Sequence, residues 1–185
     1  YSRHYQAPVL YENPAGGMFP MLPLANRVAG NRFIFQGREI VLPRHHADAH
    51  FFLHGDGWLQ RWDMIARGGD YCVLQLHRQH ACGFDYLAQI RYQLLRNQLV
   101  AALTLTHCDS TPIPYGCGFH PFFPFDKRST VQFAAAGYWP EGEQHLPLGW
   151  QGQLPGDADF SHAQYGEDRW LNVGYSGWSG RARVS

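Results

Sequence analysis

Charge is scarce in this sequence. Only 16% of the 185 residues are charged, against about 25% in an average soluble domain, and 15 basic residues balance 15 acidic ones. A balanced chain has no broad positive field, so we expect no binding of nucleic acid or of an anionic membrane surface. No signal peptide and no run of about 18 apolar residues occurs, so nothing predicts a membrane-bound or secreted segment.

Cysteine is also sparse. The four cysteines form no C-x-x-C pair and are too few for a disulfide scaffold, so we expect reduced, partly buried thiols. They are Cys72, Cys82, Cys108 and Cys117. Reduced thiols favour a cytoplasmic location.

Motifs of several enzyme classes are missing. The sequence contains no G-x-S-x-G nucleophile motif, no G-x-x-x-x-G-K-[ST] phosphate loop and no G-x-G-x-x-G dinucleotide motif. These absences argue against a serine hydrolase, a P-loop nucleotidase and a dinucleotide-dependent enzyme.

A zinc site is one open alternative. His46, His50 and His54 are spaced by four residues, which would align three imidazoles on one face of a helix. However, Pro43 before them and Gly55 after them allow at most about three helical turns, and no H-E-x-x-H pattern is present. We therefore predict no metal site.

Apolar and aromatic residues are abundant. They make up 45% and 15% of the chain, which argues against disorder. A chain of this length buries roughly 70% of its unfolded surface on folding and is expected to form one domain, here residues 1–185.

The apolar residues recur with a period of two. The clearest pattern predicts a β-hairpin of two strands with its turn at residues 96–98. The apolar positions on one face are Tyr86, Ala88, Ile90, Tyr92 and Leu94, then Leu99, Ala101, Leu103 and Leu105. Further predicted strands are 32–36, 39–42, 71–77 and 130–134, and residues 137–168 are predicted to be a long surface excursion. No helix longer than two turns is expected. The pattern is typical of a large, mostly antiparallel β-sandwich.

Four short segments gather polar and aromatic side chains. They are 24–28 with Asn26 and Arg27, 53–58 with His54, 116–123 with His120, and 170–178 with Asn172. Each also has a structural explanation, as a turn, a satisfied histidine or a set of core aromatics. His120 is the hardest to explain that way, because it is an ionisable group inside an aromatic wall, where burial tunes an imidazole.

Taken in this order, PLANR, LHGDGW, GFHPFF and LNVGYSGWSGRARV resemble the aldose 1-epimerase (galactose mutarotase) family from about Leu22 to Val184. The resemblance implies a β-supersandwich and a cofactor-free, metal-free exchange of the α and β anomers of a free hexose. Its expected partner is therefore a small aldose sugar.

The resemblance also implies roles. His120 matches the general acid, His54 the second active-site histidine, and Asn26 and Arg27 the groups that hold sugar hydroxyls. Asn172 stands where the family usually has an Asp that contacts the sugar. Four aromatic residues are candidates for a wall that excludes water: Trp58, Phe122, Phe123 and Trp178.

The family's catalytic base is a Glu in a late segment that matches no residue of this sequence. We therefore expect the chain to be a partial mutarotase-like domain, and its two ends, Tyr1 and Ser185, to be cuts in a larger sandwich. The alternative is a non-catalytic carbohydrate-binding module of the same fold.

Overall fold

The computed structural model describes residues 10, 17–44, 47–166 and 170–185. Its contacts divide the chain into a first unit, residues 1–123, and a second unit, residues 124–185. The single domain expected over residues 1–185 stays a prediction.

The described residues are almost entirely β-structure and irregular loops. The strands are β1 (Met18–Met21), β2 (Arg32–Phe35), β3 (Arg38–Val41), β4 (Asp63–Arg67), β5 (Tyr71–Gln79), β6 (Asp85–Leu95), β7 (Gln98–His107), β8 (Gly118–Pro121), β9 (Thr130–Phe133), β10 (Gly137–Trp139), β11 (Gln164–Tyr165), β12 (Gly174–Ser176) and β13 (Ala182–Val184). Helical structure in this described part is limited to the short 3₁₀ turns Ala29–Asn31, Gly57–Leu59 and Glu143–His145. The predicted all-β, antiparallel class is confirmed. None of the described helices has the length and apolar character that a membrane crossing requires.

The first unit is built around an antiparallel sheet in the order β4-β5-β6-β7. The predicted hairpin is its β6-β7 half, with Ile90 opposite Leu103 and Leu94 opposite Leu99. The turn falls where the polar break in the pattern predicts it, and Arg96 there adopts a positive φ of 54°.

The core of the first unit lies on the inner face of β6. Alternation along this strand buries Tyr86, Ala88 and Ile90 almost completely, as the period-two pattern predicts. The remaining members of the core come from β3 and from loops: Leu22, Ile40, Leu42, Phe52, Phe84 and Ile113. Burial of Leu22 and Phe52 fixes the loops that carry the candidate site residues.

The two-stranded sheet β1-β8 also positions the candidate site. Its antiparallel register places His120 opposite Phe19. Neither strand is evident from the sequence, because four residues are too few to establish a period of two.

The second unit contains the sheets β11-β9-β13 and β10-β12. The predicted strand at 130–134 is β9. The predicted excursion at 137–168 is largely irregular but includes the short strands β10 and β11, and its last two residues lie outside the described part.

All four cysteines are free thiols. Cys72 and Cys82 are half-buried as expected, whereas Cys108 and Cys117 are exposed. The expectation of partial burial is therefore correct for two of the four.

Candidate active site

His120 lies on β8 inside an aromatic environment. Its ring stacks on Phe19 with centroids 4.7 Å apart and planes 13° apart, and Phe122 lies 4.7 Å away on the centroid measure. Burial among these rings lowers the pKa of His120 below its ordinary value, because an apolar environment disfavours the imidazolium. Nδ1 of His120 is buried and has no hydrogen-bond partner among the described residues.

His54 lies in a loop that is bonded to the loop carrying Asn26. The backbone N–H of His54 donates to the carbonyl of Asn26 at 2.9 Å, and the backbone N–H of Asn26 donates to Nδ1 of His54 at 3.0 Å. Because Nδ1 accepts this bond, the neutral ring carries its proton on Nε2. His54 is thereby held in one tautomer and one orientation.

The fold brings the two histidines together. The centroids of His54 and His120 are 5.4 Å apart, with the ring planes at 68°. Phe19 contacts both rings, and Trp58 stacks on the same phenyl group at 4.9 Å. The result is a pair of imidazoles that pack against the same phenyl ring.

The loops at the histidine pair have a costly backbone conformation. Asn26, His54 and Gly55 have φ values of 62°, 58° and 66°. Glycine adopts such values freely, whereas at a non-glycine residue such as His54 they cost of order 1 kcal/mol. At Gly55 only a glycine fits, because an added Cβ would lie 2.1 Å from the carbonyl oxygen of Leu22.

Two polar side chains hold this strained loop in place. Asn31 donates from Nδ2 to the carbonyl of His50 at 2.6 Å and accepts at Oδ1 from the backbone N–H of Phe52 at 2.9 Å. This buried amide thus fixes the chain just before His54.

Asp56 anchors the other side of the loop. Its buried carboxylate accepts from Arg78 at 2.5 Å and lies 3.3 Å from Nε2 of His80. Burial by itself would raise the pKa of Asp56, but hydrogen bonds and charge from His80 and Arg78 outweigh it and lower the pKa. The ion pair ties the loop to β5.

The guanidinium of Arg27 contacts Asp48 at 3.9 Å, with both side chains largely buried. Asp48 also accepts backbone N–H bonds from His50 and Phe51 at 2.8 and 2.9 Å. Burial acts to raise the pKa of Asp48, but these bonds and the Arg27 charge lower it overall. Arg27 therefore follows directly after the histidine-bound Asn26, with its charge oriented by a carboxylate.

Asn172 lies in the second unit, just before β12. Its amide Nδ2 donates to Oε1 of Glu141 at 2.7 Å. The structure thus brings Asn26, His54 and His120 together within the first unit, and within the second unit it joins Asn172 to Glu141.

The four aromatic residues expected to form a wall lie in different surroundings. Trp58 and Phe122 pack around Phe19 and His120, whereas Phe123 is 45% exposed. Trp178, in the second unit, donates its indole N–H to the carbonyl of Arg181 at 3.0 Å. Sequence reasoning missed Phe19, for which no pattern in the short β1 segment gives a signal.

The zinc alternative depends on a helix, and the described residues of this segment form none. Residues 47–56 adopt turns, bends and single bridges, and His46 lies outside the described residues. Within the described part, His77, Asp85 and Cys108 do bring potential ligand atoms within 4.8 Å of one another. His77 and Asp85 already bond each other at 2.9 Å, and we assign no metal to this partly exposed group.

Comparisons with known proteins identify the family of the chain. The family profile described as Aldose 1-epimerase matches residues 6–185. YphB of Escherichia coli K12, a protein of uncharacterised function, is 39% identical over 168 residues, which are 90% of this chain and 57% of YphB.

Solved structures show the same fold. One from Escherichia coli K12, which carries a provisional aldose 1-epimerase name, has a TM-score of 0.91 and 36% identity over 97% of this chain and 64% of its own. A GalM/aldose epimerase homologue from C. elegans has a TM-score of 0.67 at 16% identity, over 79% of this chain and 48% of its own, and supports the fold alone. This chain thus spans less than two thirds of the length of these relatives. Since the profile covers nearly the whole chain, the chain belongs to the aldose 1-epimerase family.

Proposed function

We propose that the protein interconverts the α and β anomers of a free hexose by acid/base opening and closure of the sugar ring. The observation that carries this proposal is the pair of imidazoles, His54 and His120. Their ring centroids are 5.4 Å apart, and both rings contact Phe19. Two imidazoles at this separation can both reach the oxygens around one anomeric carbon.

The reaction needs two proton transfers. A base removes the proton from the C1 hydroxyl while the bond between C1 and the ring oxygen breaks, and an acid delivers a proton to that ring oxygen. The open aldehyde then rotates about the C1–C2 bond and closes on its other face, with acid and base exchanging roles. No net oxidation occurs, so the chemistry requires no redox cofactor.

We assign the acid to His120. Burial lowers its pKa, and a lower pKa makes the imidazolium a stronger proton donor to the ring oxygen. The fixed tautomer of His54 presents an Nε2–H group, which can donate a hydrogen bond to a sugar oxygen.

The remaining roles rest on the resemblance. Asn26, Arg27 and Asn172 would hold sugar hydroxyls, and fixing the ring in a reactive geometry lowers the barrier. The resemblance gives the base to a late Glu that has no match among residues 1–185, so no residue of this chain is assigned that role.

Polarimetry on freshly dissolved α-glucose and α-galactose tests the proposal. The protein should accelerate the approach to anomeric equilibrium for at least one aldose, and His120→Ala should lower kcat/KM by roughly 100-fold or more. Near-normal rates in that variant would contradict the role of His120. Sugar binding without any acceleration by the unchanged protein would favour the carbohydrate-binding module instead.

A further inference from the structure

We propose that Glu141 is a positioning residue that holds Trp170 and Asn172 as one pyranose-binding edge of the second unit. This inference rests on the proposed function, because it takes a hexose as the ligand. It adds a stacking residue and a positioning carboxylate that the resemblance does not assign.

Strand register explains why these residues meet. In the β10-β12 pair, Trp139 lies opposite Gly174. Continuing the same antiparallel register by two residues places Glu141 opposite Asn172, where Oε1 of Glu141 accepts the Nδ2 hydrogen bond at 2.7 Å. The contact is therefore built into the pairing of the two strands.

The second oxygen of the same carboxylate holds an indole. Nε1 of Trp170 donates to Oε2 of Glu141 at 2.8 Å, yet 76% of the Trp170 residue surface is exposed. A large aromatic side chain that is fixed at its polar edge keeps its apolar face open to solvent. Such a face suits the C–H side of a pyranose ring, while the amide nearby suits the hydroxyls.

The hydrogen bond to Glu141 also determines which atom of the Asn172 amide can contact a sugar. Because Nδ2 points to the carboxylate, the amide oxygen Oδ1 is the group left to accept a hydrogen bond from a sugar hydroxyl. A carboxylate accepts about four hydrogen bonds, and donors from Trp170, Asn172 and His145 use three of them. Glu141 thus retains acceptor capacity at the same edge.

Two backbone hydrogen bonds close a short hairpin that includes Glu141. The backbone N–H of Gly142 donates to the carbonyl of Leu146 at 2.7 Å, and Leu148 donates to Pro140 at 2.8 Å. This turn brings Nδ1 of His145 onto Oε1 of Glu141. Hydrogen bonds from His145, then Asn172 and Trp170, lower the pKa of Glu141 to about 2, so the carboxylate is charged at neutral pH.

The same arrangement accounts for Asn172 itself. The family usually has an Asp here, but an Asp at this position would set a second carboxylate against Glu141, where like charges repel. In this chain the negative charge is on Glu141, and the amide of Asn172 is its donor.

Steady-state mutarotation kinetics on Glu141→Ala test the positioning role. We expect KM to rise roughly tenfold while kcat stays within about twofold, since the loss is in sugar holding rather than proton transfer. Glu143→Ala removes an exposed carboxylate two residues away and should leave both constants unchanged.

Two substitutions at Trp170 separate stacking from the hydrogen bond. Trp170→Phe keeps an aromatic face but loses the N–H, so KM should rise about threefold, whereas Trp170→Ala should raise it roughly tenfold. Tyr165→Ala, which removes another exposed aromatic side chain of the second unit, should leave KM unchanged.

The outcomes separate this inference from the proposed function. If the unchanged protein accelerates mutarotation and Glu141→Ala keeps its KM, the positioning role is wrong and the proposed function stands. If Glu141→Ala lowers the melting temperature and kcat together, with KM unchanged, its role is structural and the inference is overturned. A protein that neither turns over nor binds an aldose contradicts both.

Discussion

The two units keep their key ionisable groups in opposite electrostatic conditions. In the first unit, the ring of His120 packs against Phe19 and Phe122, and burial lowers its pKa. In the second unit, Glu141 is surrounded by the donors of Trp170 and Asn172 and stays charged.

This difference matches two different tasks. In the proposed reaction, a lowered pKa makes the His120 imidazolium a stronger acid toward the ring oxygen. A group that must hold other side chains works best with a fixed charge and several donors. The comparison supports the proposed roles of His120 in proton transfer and of Glu141 in positioning Trp170 and Asn172.

The largest expected effect comes from the backbone of the first unit. Gly55→Ala places a Cβ against the carbonyl oxygen of Leu22, so we expect a loss of about 4 kcal/mol or more in the free energy of unfolding. Gly37 has a similar φ of 76° but no neighbour within 4 Å, so Gly37→Ala should cost only about 1 kcal/mol. Urea denaturation measures both, and equal losses would show that the close approach at Gly55 is not critical.

A somewhat smaller loss should follow from removing the anchor of the histidine loop. Asp56→Ala leaves Arg78 and His80 without their carboxylate, which should cost about 3 kcal/mol. Asp63→Ala, at an exposed position of β4, should change stability by less than about 0.5 kcal/mol.

The lowered pKa of Asp56 also predicts that the free energy of unfolding depends on pH. Because its pKa is lowered in the folded state, the stability it contributes is present above the unfolded value of 3.8 and is lost as pH falls through the folded pKa. The difference in unfolding free energy between the unchanged protein and Asp56→Ala should therefore shrink at acidic pH. A difference that does not change with pH would contradict the ion-pair account.

The smallest expected effect is a shift in the pKa of His120 when Phe122 is removed. Phe122→Ala admits water to His120, so its pKa should rise toward the ordinary value of 6.5. NMR titration of the imidazole protons measures this shift. Phe123→Ala removes a more exposed neighbour and should leave the pKa where it is; an equal shift in both variants would refute desolvation by Phe122 as a cause.

Local patterns were sufficient for the long elements of the fold. The β6-β7 hairpin is predictable because nine apolar positions alternate on either side of a polar break. The alternation matches burial at Tyr86, Ala88 and Ile90, whereas Leu94 and Leu99 next to the turn are exposed. Strands such as β1 and β8 were not predictable, because their pairing joins residues about 100 positions apart and contributes no local period.

The candidate site, too, was only partly predictable from the sequence. His54, His120, Asn26 and Arg27 stand in recognisable motifs. The contact of Phe19 with His120 follows only from the β1-β8 register. Other partners were hidden for the same reason: Asp48 for Arg27, Arg78 for Asp56, and Glu141 for Asn172 are distant in sequence and carry no motif.

The two proposed roles are that His120 transfers a proton and that Glu141 positions the side chains of Trp170 and Asn172 for a sugar. Their most direct test is steady-state polarimetry of His120→Ala and Glu141→Ala side by side with the unchanged protein. The account predicts a fall in kcat of roughly 100-fold or more with little change in KM for His120→Ala, and a roughly tenfold rise in KM with little change in kcat for Glu141→Ala. The reverse assignment, or the same change in both variants, would contradict it.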